Sequence, residues 1–335
     1  MSIEILADTR WIGPHGIGRF ARETLQRLSD VTPLPQTMRL LHPFEPLWLG
    51  QLVRRLRPRV YFTPGFNPPL ASPVPVVMTI YDLIHLRIPE ESSLGKRIYY
   101  AQVVRRAARR GARVLTVSEF SKREILRWAG IDAGAVTVVG AGVDATFCPQ
   151  GGRHAPGFAY LLYVGNRRPH KNFARLLQAF AAAAPQDVHL LVSGTSDAEL
   201  EAAIRAPGLQ GRVTCSGPIA DADLPSYYRG ARALLIPSLY EGFGLPGVEA
   251  LACGTPVLAA RAASLPEVLG DCALYVDPLQ VESIASGIRT IVENKALRER
   301  LAAAGPERAR LFRWDHVAQR VRGVIEEAAN PEPSR

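Results

Sequence analysis

The sequence predicts an α/β protein built from two doubly wound domains in series, and three observations carry that prediction. Short apolar runs alternate with amphipathic stretches along the chain, the pattern of strands feeding helices on both faces of a parallel sheet. The alternation breaks once, at the Gly- and Pro-rich segment VTVVGAGVDATFCPQGGRHAPG, which reads as a linker near residues 145–157. Charge is also divided unequally: residues 1–155 hold 21 Lys+Arg against 12 Asp+Glu, whereas residues 156–335 hold 19 of each. With 335 residues, each half is long enough to bury its own core. Domains are therefore expected at 1–150 and 151–313, followed by a helical segment at 314–335.

The elements follow in order. The first half opens on the strand IEILAD, then the amphipathic GRFARETLQRLS, and continues with the strands RVYFT, PVVMTIYD and VLTVS and the helices KRIYYAQVVRRAARRGA and KREILRWAG. The second half runs YLLYVGN, NFARLLQAFAAAA, VHLLVSG, a helix from Asp197, VTCSG, ADLPSYYRGA, ALLIPS, GVEALACG, PVLAA and ALYVD. Pro218 and Pro225 punctuate turns, and Gly254-Thr255-Pro256 separates a helix from a strand. RWDHVAQRVRGVIEEAA is a terminal helix followed by a polar tail.

Composition excludes several classes. The chain is 47% hydrophobic and 21% charged, with mean hydropathy +0.02. No apolar run approaches the roughly 20 residues that span a bilayer, and the N-terminus lacks the basic-then-apolar pattern of a secretory leader. Cys148, Cys215, Cys253 and Cys272 are widely spaced without a C-x-x-C pair, which suits a reduced, cytoplasmic set.

After the first strand, Gly16 to Ala21 spell G-x-G-x-x-A, a form of the dinucleotide-binding fingerprint. A nicotinamide or flavin enzyme also needs an acid about 20 residues on, at the end of the second strand, to hold the ribose. QTMRLLH at 36–42 contains none, and Glu45 comes late between prolines. An oxidoreductase, or a noncatalytic nucleotide-binding module, is therefore kept only as the alternative.

The most informative run is PSLYEGFGLPGVEALACGTPVLAA, residues 237–260. A buried strand ends at Ser238, a Gly-rich loop follows, and Pro246 opens a helix where proline is welcome. Free backbone N–H groups and the helix dipole then form an anion site suited to a diphosphate. Glu249, in the first helical turn, can favour the helix electrostatically or accept hydrogen bonds from a diol, and Glu241 sits in the loop ahead of it.

The spacing of the two glutamates, E-x7-E, with its surroundings, resembles the donor-site signature of retaining glycosyltransferases of the GT-B fold, family 4. YVGNRRPHKNFARLLQAF resembles that family's strand–loop–helix carrying a phosphate-binding lysine. VTCSGPIADADLPSYYRGARALLIPS resembles its base-binding loop, here holding Ile219, and SLPEVLGDCALYVDP the run that closes its domain. The resemblance implies two Rossmann-like domains facing across a cleft, an N-terminal one for the acceptor and a C-terminal one for the nucleotide sugar. The C-terminal helix would return toward the first domain.

By the same resemblance, Glu249 binds the ribose and Glu241 lies beside the transferred sugar. Gly242, Phe243, Gly244 and Leu245 offer N–H groups to the diphosphate next to Ser238, and Lys171 neutralises the departing nucleoside diphosphate. His170 and Asn166 stand where relatives carry arginine, so Arg167 or Arg168 is left to supply that charge. Gly16 and Gly18 would admit the donor closely. Asp82 matches a catalytic-side aspartate, Tyr81 replaces a histidine, and His85 three residues on is a candidate to compensate. No cluster of His, Cys and carboxylates at metal-ligand spacing is seen, so no metal and no bound cofactor are expected; the nucleotide sugar is a co-substrate.

Arginine concentrates in QLVRRLRPR (51–59) and KRIYYAQVVRRAARRGAR (96–113), with Arg105, Arg106, Arg109, Arg110 and Arg113 within about two and a half helical turns. A solvated face, nucleic acid and the anionic cytoplasmic leaflet are the three readings; no nucleic-acid motif accompanies the patch. The expected partner is the membrane surface, which suits a glycan or lipid-linked acceptor. YDL and P-x-K-N resemble bacterial enzymes of lipopolysaccharide and exopolysaccharide assembly, and GDP-mannose is the expected donor.

Overall fold

The structure, a computed structural model, describes residues 4–35 and 37–330. Ile3 of the expected first strand, Gln36, and 331–335 of the expected C-terminal segment lie outside the described residues. The chain forms two compact units, one holding the residues up to Gly142 together with those from Arg313 onward, the other Val143–Phe312.

The first unit has a six-stranded sheet of β1 (Ile5–Ala7), β2 (Val31–Pro33), β3 (Val60–Thr63), β4 (Val76–Thr79), β5 (Arg113–Thr116) and β6 (Val136–Val138). All pairings are parallel, in the order β2-β1-β3-β4-β5-β6. Its helices are α1 (Gly16–Leu25), α2 (Glu45–Leu56), α3 (Ile84–Arg87), α4 (Leu94–Tyr99), α5 (Arg105–Arg109) and α6 (Glu119–Ala129). β1, β3 and β4 are buried along their whole length, as strands covered on both faces must be.

Three sequence expectations are corrected here. The second strand is Val31–Pro33, not 36–42; it lies at the sheet edge, where a proline that cannot donate is tolerated. Residues 34–44 still carry no acid. β6 lies ahead of the 145–157 linker in a stretch not expected to form a strand, three residues being too short for a visible period. The basic helix is also not one regular α-helix, because Tyr100–Val104 forms a π-helical stretch between α4 and α5, which shifts the arginine faces.

The second unit has β7 (Ala159–Tyr163), β8 (Val188–Val192), β9 (Val213–Cys215), β10 (Ala233–Ile236), β11 (Val257–Ala260) and β12 (Ala273–Val276), again all parallel, in the order β12-β11-β10-β7-β8-β9. Its helices are α7 (Phe173–Ala183), α8 (Ala198–Ala203), α9 (Leu224–Gly230), α10 (Leu245–Ala252), α11 (Leu265–Leu269), α12 (Val281–Glu293) and α13 (Lys295–Ala309). In α7 the buried Phe173, Leu176, Leu177 and Phe180 fall at i, i+3, i+4 and i+7 and pack on Leu161, Leu190 and Leu235 of the strands.

The last helix, α14 (Trp314–Ala329), belongs to the first unit. It buries Trp314, Val317, Val321, Val324 and Ile325, and Trp314 packs edge-on to Phe20 of α1, with centroids 6.2 Å apart. Arg27 and Asp315 tie the same two helices at 2.9 Å. Each fully buried side chain of this size contributes about 1.5–3 kcal/mol.

In each sheet the strand order reverses once, between β1 and β3 and between β7 and β10. Loops leaving such a switch point diverge and open a crevice at the carboxyl ends of the strands, where ligands of doubly wound sheets bind.

Candidate active site

In the second unit the loops after β7 and β10 are stitched together. Asn172 adopts a left-handed conformation (φ 60°), which aims its Nδ2 at the carbonyls of Pro237 (3.0 Å) and Pro278 (2.7 Å). The Leu239 amide donates to the His170 carbonyl at 2.8 Å. His170, at the position where the family resemblance places an arginine, is buried and holds the loop through its backbone carbonyl.

This arrangement brings Lys171 to Glu241. Lys171 Nζ lies 2.7 Å from Glu241 Oε1, and Ser238 Oγ donates to the same oxygen at 2.7 Å. Ser264 Oγ holds the Glu241 carbonyl at 2.9 Å. The two ionic side chains are only 18% and 12% exposed, and Glu241 Oε2 carries no hydrogen bond among the described residues. A carboxylate pinned through one oxygen thus offers the other.

Beyond Glu241, Gly242, Phe243 and Gly244 are buried, and Phe243 packs edge-on to Phe312. Gly244 caps α10 at φ 91°, and a Cβ there would sit 2.7 Å from Leu265 Cδ2, so both conformation and space require glycine. Leu245 and Pro246 open the helix; proline costs nothing where the N–H has no intrahelical acceptor.

Glu249, expected in the first helical turn, lies beyond it. It is the fifth residue of α10, 3% exposed, and its Oε2 accepts from the hydroxyl of the fully buried Tyr228 at 2.7 Å. Tyr228, on α9, is a site residue that the sequence did not reveal. Its backbone carbonyl is in turn held by Thr255 Oγ1 at 2.7 Å.

The remaining donor-side candidates separate. Arg167 turns to Asp197, the N-cap of α8, and donates to the Thr195 carbonyl at 3.1 Å. Asp197 is held below the ordinary carboxyl range by the Leu200 amide and by Arg167. Arg168 and Asn166 are exposed, the Arg168 amide donating to Asn166 Oδ1 at 3.3 Å. Ile219 is half-buried in the loop between β9 and α9.

In the first unit, Gly18 has a local explanation: a Cβ would fall 2.2 Å from the Gly13 carbonyl oxygen, so it lets the loop close on α1. His15 Nδ1 caps that helix by accepting from the Gly18 amide at 2.9 Å. Gly16 is the exposed first residue of α1. Asp82 Oδ1 accepts from the Ile84 amide at 3.0 Å, and the Tyr81 hydroxyl donates to the Pro64 carbonyl at 2.6 Å. His85, on α3, lies 3.1 Å from the Glu91 carbonyl and 3.3 Å from Lys96 Nζ through Nδ1; burial lowers its pKa.

The β1/β3 switch point holds a buried polar network absent from the sequence reading. Arg10 Nη2 bridges Asp8 (2.6 Å) and Glu45 (2.5 Å), both 0% exposed. Asn67 donates to both acids at 2.7 and 3.0 Å and accepts from Trp11 Nε1 at 2.7 Å. Burial pushes the Glu45 carboxyl above its ordinary value. Glu45 therefore closes an internal ion-pair cluster rather than standing late in a loop.

A doubly wound parallel sheet in each of two units, the second with a lysine–glutamate pair and a glycine-capped helix at its switch point, defines the GT-B class of glycosyltransferases. The chain belongs to the glycosyltransferase family in which residues 7–147 match Glycosyltransferase Family 4 and residues 148–308 match Glycosyl transferases group 1. It is 30% identical over 299 residues to O-antigen chain mannosyltransferase B of Escherichia coli, covering 84% of this chain and 77% of that protein. It is 32% identical over 244 residues to the MMP α-(1→4)-mannosyltransferase of Mycolicibacterium hassiacum, covering 70% of this chain and 59% of that one. In fold it is similar to Anabaena Alr3699/HepE in complex with UDP-glucose: TM-score 0.79, 19% identity, 97% of this chain and 99% of the other.

Proposed function

We propose that the protein transfers a hexosyl group, with retention of anomeric configuration, from a nucleoside-diphosphate sugar bound by the second unit to an acceptor bound by the first. The observation that carries this reading is the Lys171–Glu241 pair beside the N-terminus of α10. Lys171 and the backbone N–H groups from Gly242 to Leu245 supply positive charge to the leaving diphosphate, without a metal. The second oxygen of Glu241 accepts from a sugar hydroxyl or opposes positive charge at the anomeric carbon. Glu249, oriented by Tyr228, accepts from the ribose diol.

The mannosyltransferase activity of two relatives supports mannose as the sugar, with GDP-mannose as donor; the UDP-glucose complex of HepE places UDP-sugars in the same donor screen. The O-antigen relative supports a glycan or lipid-linked acceptor in surface-polysaccharide assembly. We place the protein in the cytoplasm, peripheral on an anionic leaflet. No helix among the described residues is long and apolar enough to cross a membrane. Arg54, Arg55 and Arg106 are exposed on the first unit, near in sequence to the exposed Phe44, Leu47, Leu94 and Ile98. Arg109, Arg110 and Arg113 instead donate to the Ala129, Leu70 and Gly134 carbonyls, so part of the basic segment serves packing.

The deciding experiment is NMR of the product. An α-linked nucleotide sugar should yield an α-linked product, and a coupling constant of the inverted anomer would reject the retaining mechanism.

A further inference from the structure

A cavity of about 420 Å³ opens in the first unit between α3, α4 and α6, lined by Leu83, Leu86, Arg87, Arg97, Arg127 and Trp128. Its size falls within the range of small-ligand sites. Its chemistry is two-sided. Leu83, Leu86 and Trp128 give an apolar wall, and Trp128 is set by its ring contact with Tyr100, centroids 5.9 Å apart. Three arginines line the same space, with one carboxylate to balance them: Glu124 pairs with Arg87 at 2.5 Å and with Arg127 at 3.4 Å. Arg97 has no ion pair among the described residues. The lining therefore holds a surplus of two positive charges.

The rim continues the pattern. Leu94 and Ile98 are 74% and 52% exposed; on α4 Leu94 lies three residues before Arg97, on its side of the helix, and Ile98 lies four residues after Leu94, beside it. Large apolar side chains left in water beside a cationic pocket fit a ligand that is itself charged at one end and apolar at the other. Guanidinium forks pair bidentately with phosphate oxygens, and a surplus of two positive charges is balanced by a doubly charged head rather than by a single carboxylate or a neutral sugar.

We propose that this cavity binds the doubly charged phosphate or diphosphate head of a lipid. Leu94 and Ile98 meet the first part of the chain, and Arg87, Arg97 and Arg127 hold the phosphate oxygens. This rests on the reading of the first unit as the acceptor side of a glycosyltransferase, and it assigns the acceptor's anchoring group to particular residues. The cavity is separate from the donor diphosphate elements, which belong to the second unit.

Farnesyl diphosphate, inorganic diphosphate and farnesol serve as probes, with binding followed by calorimetry on the full chain. Farnesyl diphosphate should bind at least tenfold more tightly than either of the others. In the Lys171→Gln variant, whose donor diphosphate site is weakened, equal binding of inorganic diphosphate would remove the apolar rim from the proposal, equal binding of farnesol would remove the arginines, and either overturns it. The double variant Arg97→Gln/Arg127→Gln should weaken farnesyl diphosphate at least tenfold, whereas Lys171→Gln should leave it within twofold; the reverse would put the probe on the donor site. Leu94→Ser/Ile98→Ser, at exposed positions, should weaken farnesyl diphosphate and not inorganic diphosphate. Hydrolysis of nucleotide sugars by the wild type, measured separately, tests the transferase reading. A protein that hydrolyses donor but does not hold farnesyl diphosphate refutes the pocket alone.

Discussion

Glu241→Gln separates the two halves of the donor site. The substitution keeps the side chain's size and its hydrogen bond from Ser238 but removes the charge 2.7 Å from Lys171 Nζ. Two unit charges about 4 Å apart attract by ~4 kcal/mol at an effective dielectric constant of ~20. Against solvation, a hydrogen bond to a charged group contributes a net ~1.5–3 kcal/mol. The Lys171 and Glu241 side chains are 18% and 12% exposed, which places them in the upper part of that range. In the wild type a diphosphate must share Lys171 with Glu241, and in the variant it meets the whole ammonium charge. Nucleoside diphosphate affinity should therefore be unchanged or rise by up to about tenfold, roughly half the energy of the pair. Turnover should instead fall by ~10²–10³, the usual cost of removing one preorganised electrostatic group from a transition state. Calorimetry with UDP and GDP and a steady-state transfer assay read both quantities. A threefold loss of diphosphate affinity, or a kcat within threefold of wild type, would refute this division of labour.

Glu249→Ala should weaken nucleoside diphosphate binding by ~1.5–3 kcal/mol and leave the buried Tyr228 hydroxyl without its acceptor; unchanged affinity in calorimetry contradicts the ribose role. Arg10→Met strands Asp8 and Glu45, both fully buried, and should cost the first unit ~3–5 kcal/mol. Urea unfolding followed by tryptophan fluorescence isolates that effect, because Trp11, Trp48, Trp128 and Trp314 all lie in the first unit; a midpoint equal to wild type counts against the network. Gly244→Ala combines a positive φ with a 2.7 Å contact to Leu265, so a thermal scan should show the second unit destabilised by at least ~1–2 kcal/mol, together with weaker diphosphate binding. Vesicles with anionic lipid should sediment the protein at 0.1 M salt and release it at 1 M, as the Debye length falls from ~10 to ~3 Å. Arg54→Gln/Arg55→Gln/Arg106→Gln should reduce the binding, and no sedimentation of wild type at low salt rules out the membrane surface as partner.

Much of the fold was legible because it is written locally. Alternating apolar runs marked ten of the twelve strands, and the two that escaped, Val31–Pro33 and Val136–Val138, are three residues each and sit at the edges of their sheet, where little burial constrains them. Gly244 before Pro246 announced a helix start from neighbouring residues alone, since a positive φ and a missing N–H are properties of the chain at that point.

The site was legible as a set of residues but not as a set of partners. Lys171 and Glu241 are 70 positions apart, Tyr228 and Glu249 21, and Asp8 and Asn67 59. No periodicity connects such distances. The sequence by itself determined two parallel α/β sheets, the glycine-capped helix with its pair of glutamates, and a basic first half. Only the tertiary structure decided that Glu241 is held by Lys171 and Ser238, that Arg167 faces Asp197, and that Glu249 lies beyond the first turn against Tyr228. It also decided that Glu45 is buried with Arg10 and that three arginines share a cavity with Trp128. The physical reason is that backbone conformation answers to neighbours in the chain, whereas ion pairs and cavities answer to strand order. That order brings the carboxyl ends of β7 and β10 side by side although 69 residues of chain separate Tyr163 from Ala233.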